Sequence, residues 1–227
     1  MVVDIERFES FTSELNKLNP KFNIKFKNES LLMKTIGILL FFNKDFMRTY
    51  TTTIGNTVYF PSKQFIEDSP ESALIIAAHE YRHAYDANRI NSLLFSIIYL
   101  MPQLLVLLIV PALYLFGYWG LLCLIFLFPL PAYGRMRLEL NGYVTSLFVL
   151  HALLVEAKTS EEYRALRLQQ SAIVKNKQFT GSAYYFMWPF GVKTQLFKAL
   201  DEVIDGTMVK EKDALNQIYE AFVKSKK

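Results

Sequence analysis

Three residues within one helical turn could do chemistry together: His79, Glu80 and His83, set out as H-E-x-x-H. On an α-helix, positions four apart lie one above the other, so both imidazoles project from one face. Two neutral ring nitrogens at that spacing can bind a single zinc ion, and the carboxylate between them can reach the metal-bound water as general base. The chain has only three histidines, and two of them fall here. Surface or core histidines do not account for such a pair with a glutamate between them.

The pattern needs a helix, and the flanking sequence supplies one. Asp68 or Ser69 can cap it, Pro70 suits its first position, and Glu71 favours the positive end of the helix dipole. Ala73, Leu74, Ile76, Ala77 and Ala78 then carry it to the motif with good propensity and an apolar face. Upstream, the β-prone runs Thr49–Ile54 and Thr57–Phe60 flank a Gly55-Asn56 turn pair, predicting a hairpin. Such a hairpin would bring a strand edge near the metal, with Thr57, Val58, Tyr59 and Phe60 as the candidate edge for an extended substrate.

From Ile90 to Gly134 there are 45 consecutive residues without a charge. As helix this run measures about 68 Å, enough for two crossings of a hydrocarbon core about 30 Å thick. The expected spans are Leu93–Val110 and Leu113–Phe128, with places to turn at Pro111 and at Gly117–Gly120, and with Tyr114, Tyr118 and Trp119 suited to an interface. Arg82 and Arg89 precede the run, and Arg135 and Arg137 follow it. Positive charge on both flanks predicts that both ends stay on the cytoplasmic side, with the lipid bilayer as a partner. Three regions follow: 1–89 with the motif helix, 90–134 as a membrane hairpin, and 135–227 as a helical second half.

Composition agrees with a local rather than general excess of apolar residues. The apolar share is 52%, the aromatic share 15% and the mean hydropathy +0.18, at the apolar end for a soluble protein. The net charge of +4 fits an anionic membrane surface, and no basic cluster with interleaved aromatics points to nucleic acid. Cys123 is the only cysteine, so a zinc site must use histidine and carboxylate. The first nineteen residues carry no signal-like apolar run. They predict an amphipathic helix over Asp4–Leu18 with Ile5, Phe8, Phe11, Leu15 and Leu18 on one side. Leu31–Phe42 is apolar but too short to span, and reads as a core or interfacial element. Helices are expected over Leu138–Ala157, Glu161–Lys175, Lys193–Ile204 and Val209–Val223, with an aromatic loop over Thr180–Phe190.

A catalytic zinc usually has three protein ligands and a water, so one ligand is missing from the motif. The candidates are Asp86, Glu139, His151, Glu156, Asp201, Glu202 and Asp205. Asp86 sits three residues past His83 and suits an outer position that orients a ligand. Glu139 stands out because a helical hairpin would return the chain close to His83, despite the 56-residue separation.

With H-E-x-x-H, an apolar hairpin and then a glutamate opening a helix, residues Thr57 to Leu150 resemble the gluzincin metallopeptidases. The architecture is similar to integral-membrane members of the heat-shock membrane protease and CAAX prenyl protease type. The resemblance implies that His79, His83 and Glu139 bind zinc and that Glu80 is the catalytic base. It departs from the family at Tyr143, where an aspartate is common, and in having no pair of spans before the motif.

The fold expected is mainly α with a small β-hairpin or sheet, a zincin-like domain with an inserted transmembrane helical hairpin. The function expected is zinc-dependent hydrolysis of a protein or peptide substrate. Arg137, Tyr143 and His151 are candidate groups for stabilising the oxyanion or orienting a ligand. The alternative is a membrane-anchored binding or scaffold protein with a structural or degenerate zinc site. Glu80-dependent cleavage separates the two.

Overall fold

The computed structural model describes residues 3–41, 43, 45–128, 130–181, 188, 190–207 and 213–226. The chain is mainly helical with one three-stranded sheet. The first helix, α1 (Ile5–Leu18), is capped by the Asp4 side chain, which accepts from the Arg7 amide, and it buries Phe8, Phe11 and Leu15. Strand β1 (Asn23–Phe26) follows, then helix α2 (Leu31–Leu39) and the hairpin of β2 (Thr52–Ile54) and β3 (Thr57–Phe60). Gly55 turns the hairpin at φ 61°, a conformation in which a Cβ would be strained.

The sheet order is β1-β3-β2, with β1 parallel and β2 antiparallel to β3. The strand expected to offer a free edge, Thr57–Phe60, is therefore central and hydrogen-bonded on both sides. The outer edges belong to β1 and β2. Val58 and Phe60 face the helical core, where Phe60 meets Phe8 edge-on at 5.8 Å. Tyr59 alternates to the other face and packs with Phe46 beneath Met33 of α2. Met33 is the only buried residue of α2, and Leu31, Ile38, Leu39 and Phe41 are exposed.

A short helix, α3 (Lys63–Asp68), leads into the motif helix α4 (Pro70–Ile90), which opens with Pro70 after Ser69 as expected. Ala73, Ala77, Ala78 and Ala84 are fully buried along it. Such small side chains let a neighbouring helix approach closely. That neighbour is α7 (Tyr133–Glu156), and the α4–α7 pair forms the axis of the molecule. Helices α8 (Glu161–Gln178), α9 (Val192–Ile204) and α10 (Asp213–Lys224) complete the core. Arg7 of α1 makes two hydrogen bonds to Glu156 at 2.7 and 2.9 Å, and Lys226 adds a third contact at 2.9 Å. Glu156, a candidate ligand by sequence, thus fastens the ends of the chain to α7. The aromatic loop expected over Thr180–Phe190 lies mostly outside the described residues; within it, Trp188 meets Tyr133 edge-on.

The uncharged run departs from two straight spans. It consists of α5 (Ser92–Leu100), a 3-10 segment (Gln103–Leu108), α6 (Ile109–Phe116) and a second 3-10 segment (Gly117–Leu127). The chain reverses at Gly117, where φ is 58°, and the second segment packs back on α6. Gly120 permits this contact, since a Cβ there would stand 2.3 Å from the Leu113 amide nitrogen. By length and composition, two helical stretches, Gln103–Leu127 and Tyr133–Glu156, could cross a membrane. The second is largely buried and serves as the core helix α7. The first is doubled back, and its arms reach about 24 and 22 Å by helical rise.

Candidate metal centre

Helix α4 presents His79 and His83 toward α7, and α7 presents Glu139 toward them. All three are buried. The His79 and His83 Nε2 atoms face each other at 3.0 Å. Glu139 Oε2 lies 3.2 Å from His79 Nε2, and Oε1 lies 3.5 Å from His83 Nε2. One ligand atom from each residue falls within 4.8 Å of the others, a set that could hold a metal ion. Two imidazoles and one carboxylate are donors suited to a divalent transition metal.

The surroundings favour this convergence. Ser146 Oγ donates to the Gly142 carbonyl at 3.2 Å and lies 3.4 Å from His79 Nδ1. With its proton engaged there, Ser146 offers a lone pair to an Nδ1 proton, which leaves His79 Nε2 as the Lewis base facing Glu139. Burial would lower the His83 pKa, but the adjacent Glu139 carboxylate outweighs it, with Glu80 and Asp86 adding, and raises it to about 9. Burial likewise works against a charged Glu139, yet the two imidazoles hold its carboxyl well below the usual carboxylate range. The centre is therefore a buried carboxylate that needs a balancing positive charge, which a proton on His83 or a metal ion can supply.

Glu80, between the two histidines in sequence, is half-buried, and its charge helps raise the His83 pKa. Thr53 Oγ1, on the free-edge strand β2, donates to Glu80 Oε2 at 2.6 Å. The hairpin thus reaches Glu80 itself through Thr53. Tyr143 packs its ring against His79 with centroids 5.0 Å apart. Asp86 touches neither histidine: it accepts from Arg82 Nε at 2.9 Å and from Asn141 Nδ2 at 3.2 Å, pinning α7 to α4.

Two expected residues lie elsewhere. Arg137 is exposed and donates to Gln195 of α9 at 2.7 Å, because it faces away from α4. His151 is twelve residues beyond Glu139, about 18 Å along the same helix, too far to touch the cluster.

Four residues that the sequence reading passed over do touch the site: Thr53, Tyr99, Gly142 and Ser146. Glu139, Gly142 and Ser146 fall at i, i+3 and i+7, a small and polar stripe on one face of the helix. That stripe was a usable signal for the α7 pair. Tyr99 donates to Glu139 Oε1 at 2.7 Å from within the uncharged run, where nothing local distinguishes it. No protein-family model matches the chain, and neither a curated protein nor a solved structure does.

Proposed function

We propose that this chain is a membrane-associated zinc metallopeptidase of the gluzincin type, with His79, His83 and Glu139 as zinc ligands and Glu80 as general base. The observation that carries the reading is the buried His79–His83–Glu139 triangle on two packed helices, with Glu80 between the histidines in sequence. A nitrogen, nitrogen, oxygen set with a carboxylate beside it matches zinc in hydrolytic sites. A bound zinc ion supplies Lewis acidity and a water of lowered pKa.

The protein's own part is positional. Thr53 fixes Oε2 of Glu80, so Oε1 is the atom that accepts a proton from water and returns it to the leaving amine. The hydroxyl adds to the carbonyl carbon, the carbon–nitrogen bond breaks, and one water is consumed. An extended peptide would pair with the free edge of β2, next to Thr53, since β3 has no edge to offer. The exposed apolar hairpin, with Leu93, Val110, Tyr114, Tyr118 and Trp119 open to the surroundings, supports membrane attachment. Arginines on both flanks favour the cytoplasmic side. The short arms favour a re-entrant hairpin over a full crossing.

The test is cleavage of an unstructured protein by zinc-loaded enzyme and by Glu80→Gln. The variant keeps one zinc per chain and loses at least about 100-fold in rate. Cleavage unchanged in Glu80→Gln would reject the peptidase reading. Full zinc content with no cleavage by the wild type across broad peptide libraries would favour a structural site.

A further inference from the structure

The first helix of the uncharged run does more than lead into the hairpin. Tyr99 of α5 donates its hydroxyl proton to Glu139 Oε1 at 2.7 Å, leaving Oε2 as the oxygen turned to His79. Its ring stands edge-on to the His83 ring at 6.3 Å, and Phe95, stacked on Tyr99, meets His83 at 6.0 Å. Tyr99 is itself held at both ends. Arg135 Nε donates to the Tyr99 carbonyl at 2.8 Å, and the Arg135 guanidinium lies over the Tyr99 ring at 5.2 Å. Another Arg135 nitrogen donates to Gln103 Oε1 at 2.9 Å, on the far side of α5. Close approach of α5 to α7 depends on Gly134, where a Cβ would stand 2.8 Å from the Ile98 carbonyl oxygen.

We propose that Tyr99 is a positioning residue of the metal centre: its hydroxyl holds Glu139 so that a single oxygen is presented to the metal, and it ties the hairpin to that centre. The inference rests on the metal-centre reading above and deepens it. A carboxylate with both oxygens free can swing or chelate; one whose Oε1 is already hydrogen-bonded presents Oε2 in a fixed direction. Outer partners of this kind typically contribute 10–100-fold in metal affinity.

The experiment uses full-length protein and cobalt(II) as the probe, read by competitive titration and by visible absorption. Tyr99→Phe removes the hydroxyl and keeps the ring; Tyr99→Leu removes both. The expected result is an affinity loss of about tenfold in Tyr99→Phe, with weaker visible bands as Glu139 chelates through both oxygens and the coordination number rises. Tyr99→Leu then loses no less. Wild-type affinity and spectrum in Tyr99→Phe, with loss only in Tyr99→Leu, would assign the effect to packing and overturn the proposal. Absence of cobalt binding by the wild type would overturn the metal-centre reading itself and this proposal with it. The two failures are therefore distinct.

Discussion

Gly142 lies directly against His79: a Cβ at position 142 would stand 2.5 Å from the imidazole Cε1 and 2.7 Å from Nε2. No side-chain atom comes that close without displacement, so α7 needs a glycine where it crosses the first histidine. The α4–α7 contact and the His79–His83–Glu139 cluster are thus one feature, set by a missing methyl group.

Gly142→Ala is expected to push His79 off the line shared with His83 and Glu139. Zinc affinity should fall at least about tenfold, the scale of misplaced ligand support. Gly181→Ala, where the nearest atom is 3.4 Å away, is the control and should bind normally. Competition against a chromophoric chelator measures both. Equal affinity in the two variants would contradict the geometry.

Thr53→Val removes the donor to Glu80 Oε2 while keeping the shape of the side chain. Zinc content should be unchanged, and peptide cleavage should fall on the order of tenfold, the equivalent of one hydrogen bond to a charged group. Reduced zinc content would mean that β2 supports the ligands rather than the base.

The pH dependence follows from His83. Its pKa is raised from 6.5 to about 9 by Glu139 against the opposing effect of burial, so the metal-free protein carries a proton there at neutral pH. A raised folded-state value adds stability below pH 6.5 that is lost as pH rises through about 9 in the metal-free form. Zinc binding must displace that proton, so affinity should climb with pH and level off above about 9. Calorimetry in buffers of different ionisation heat at pH 7 should read about one proton released on this account. Release of none would show that His83 is already neutral.

Membrane contact can be read from tryptophan. The chain has two, so Trp188→Phe leaves Trp119, which is exposed beside the Gly117 reversal. Brominated lipids in anionic vesicles should quench its fluorescence and aqueous iodide should lose access to it. Iodide access unchanged by vesicles would place the reversal in water.

Much of the centre was legible because its logic is local or nearly so. His79 and His83 share a helix face by spacing alone, and Ser69, Pro70 and the alanines mark that helix. Glu139 followed from chain return after an apolar run, and the structure brings it to 3.2 Å from His79. What could not be read depends on partners distant in sequence. Strand β1 pairs Asn23 with Thr57, on the far side of α2 and β2 in sequence, and this pairing makes β3 central. Tyr99 looks like any aromatic in an uncharged segment until α5 folds over His83. The bounds of the two arms differ from those expected because the run reverses at Gly117, one of the two turning places the sequence offered, and not at Pro111.

The central claim is that His79, His83 and Glu139 hold one zinc ion together. X-ray absorption at the zinc edge on the purified, zinc-loaded protein tests it most directly, by counting the ligand types around the metal. One zinc per chain is expected, with two imidazoles, oxygen ligands and no sulfur, and a smaller oxygen contribution or loss of zinc in Glu139→Gln. A single imidazole, a sulfur ligand, or an unchanged spectrum in Glu139→Gln would contradict it.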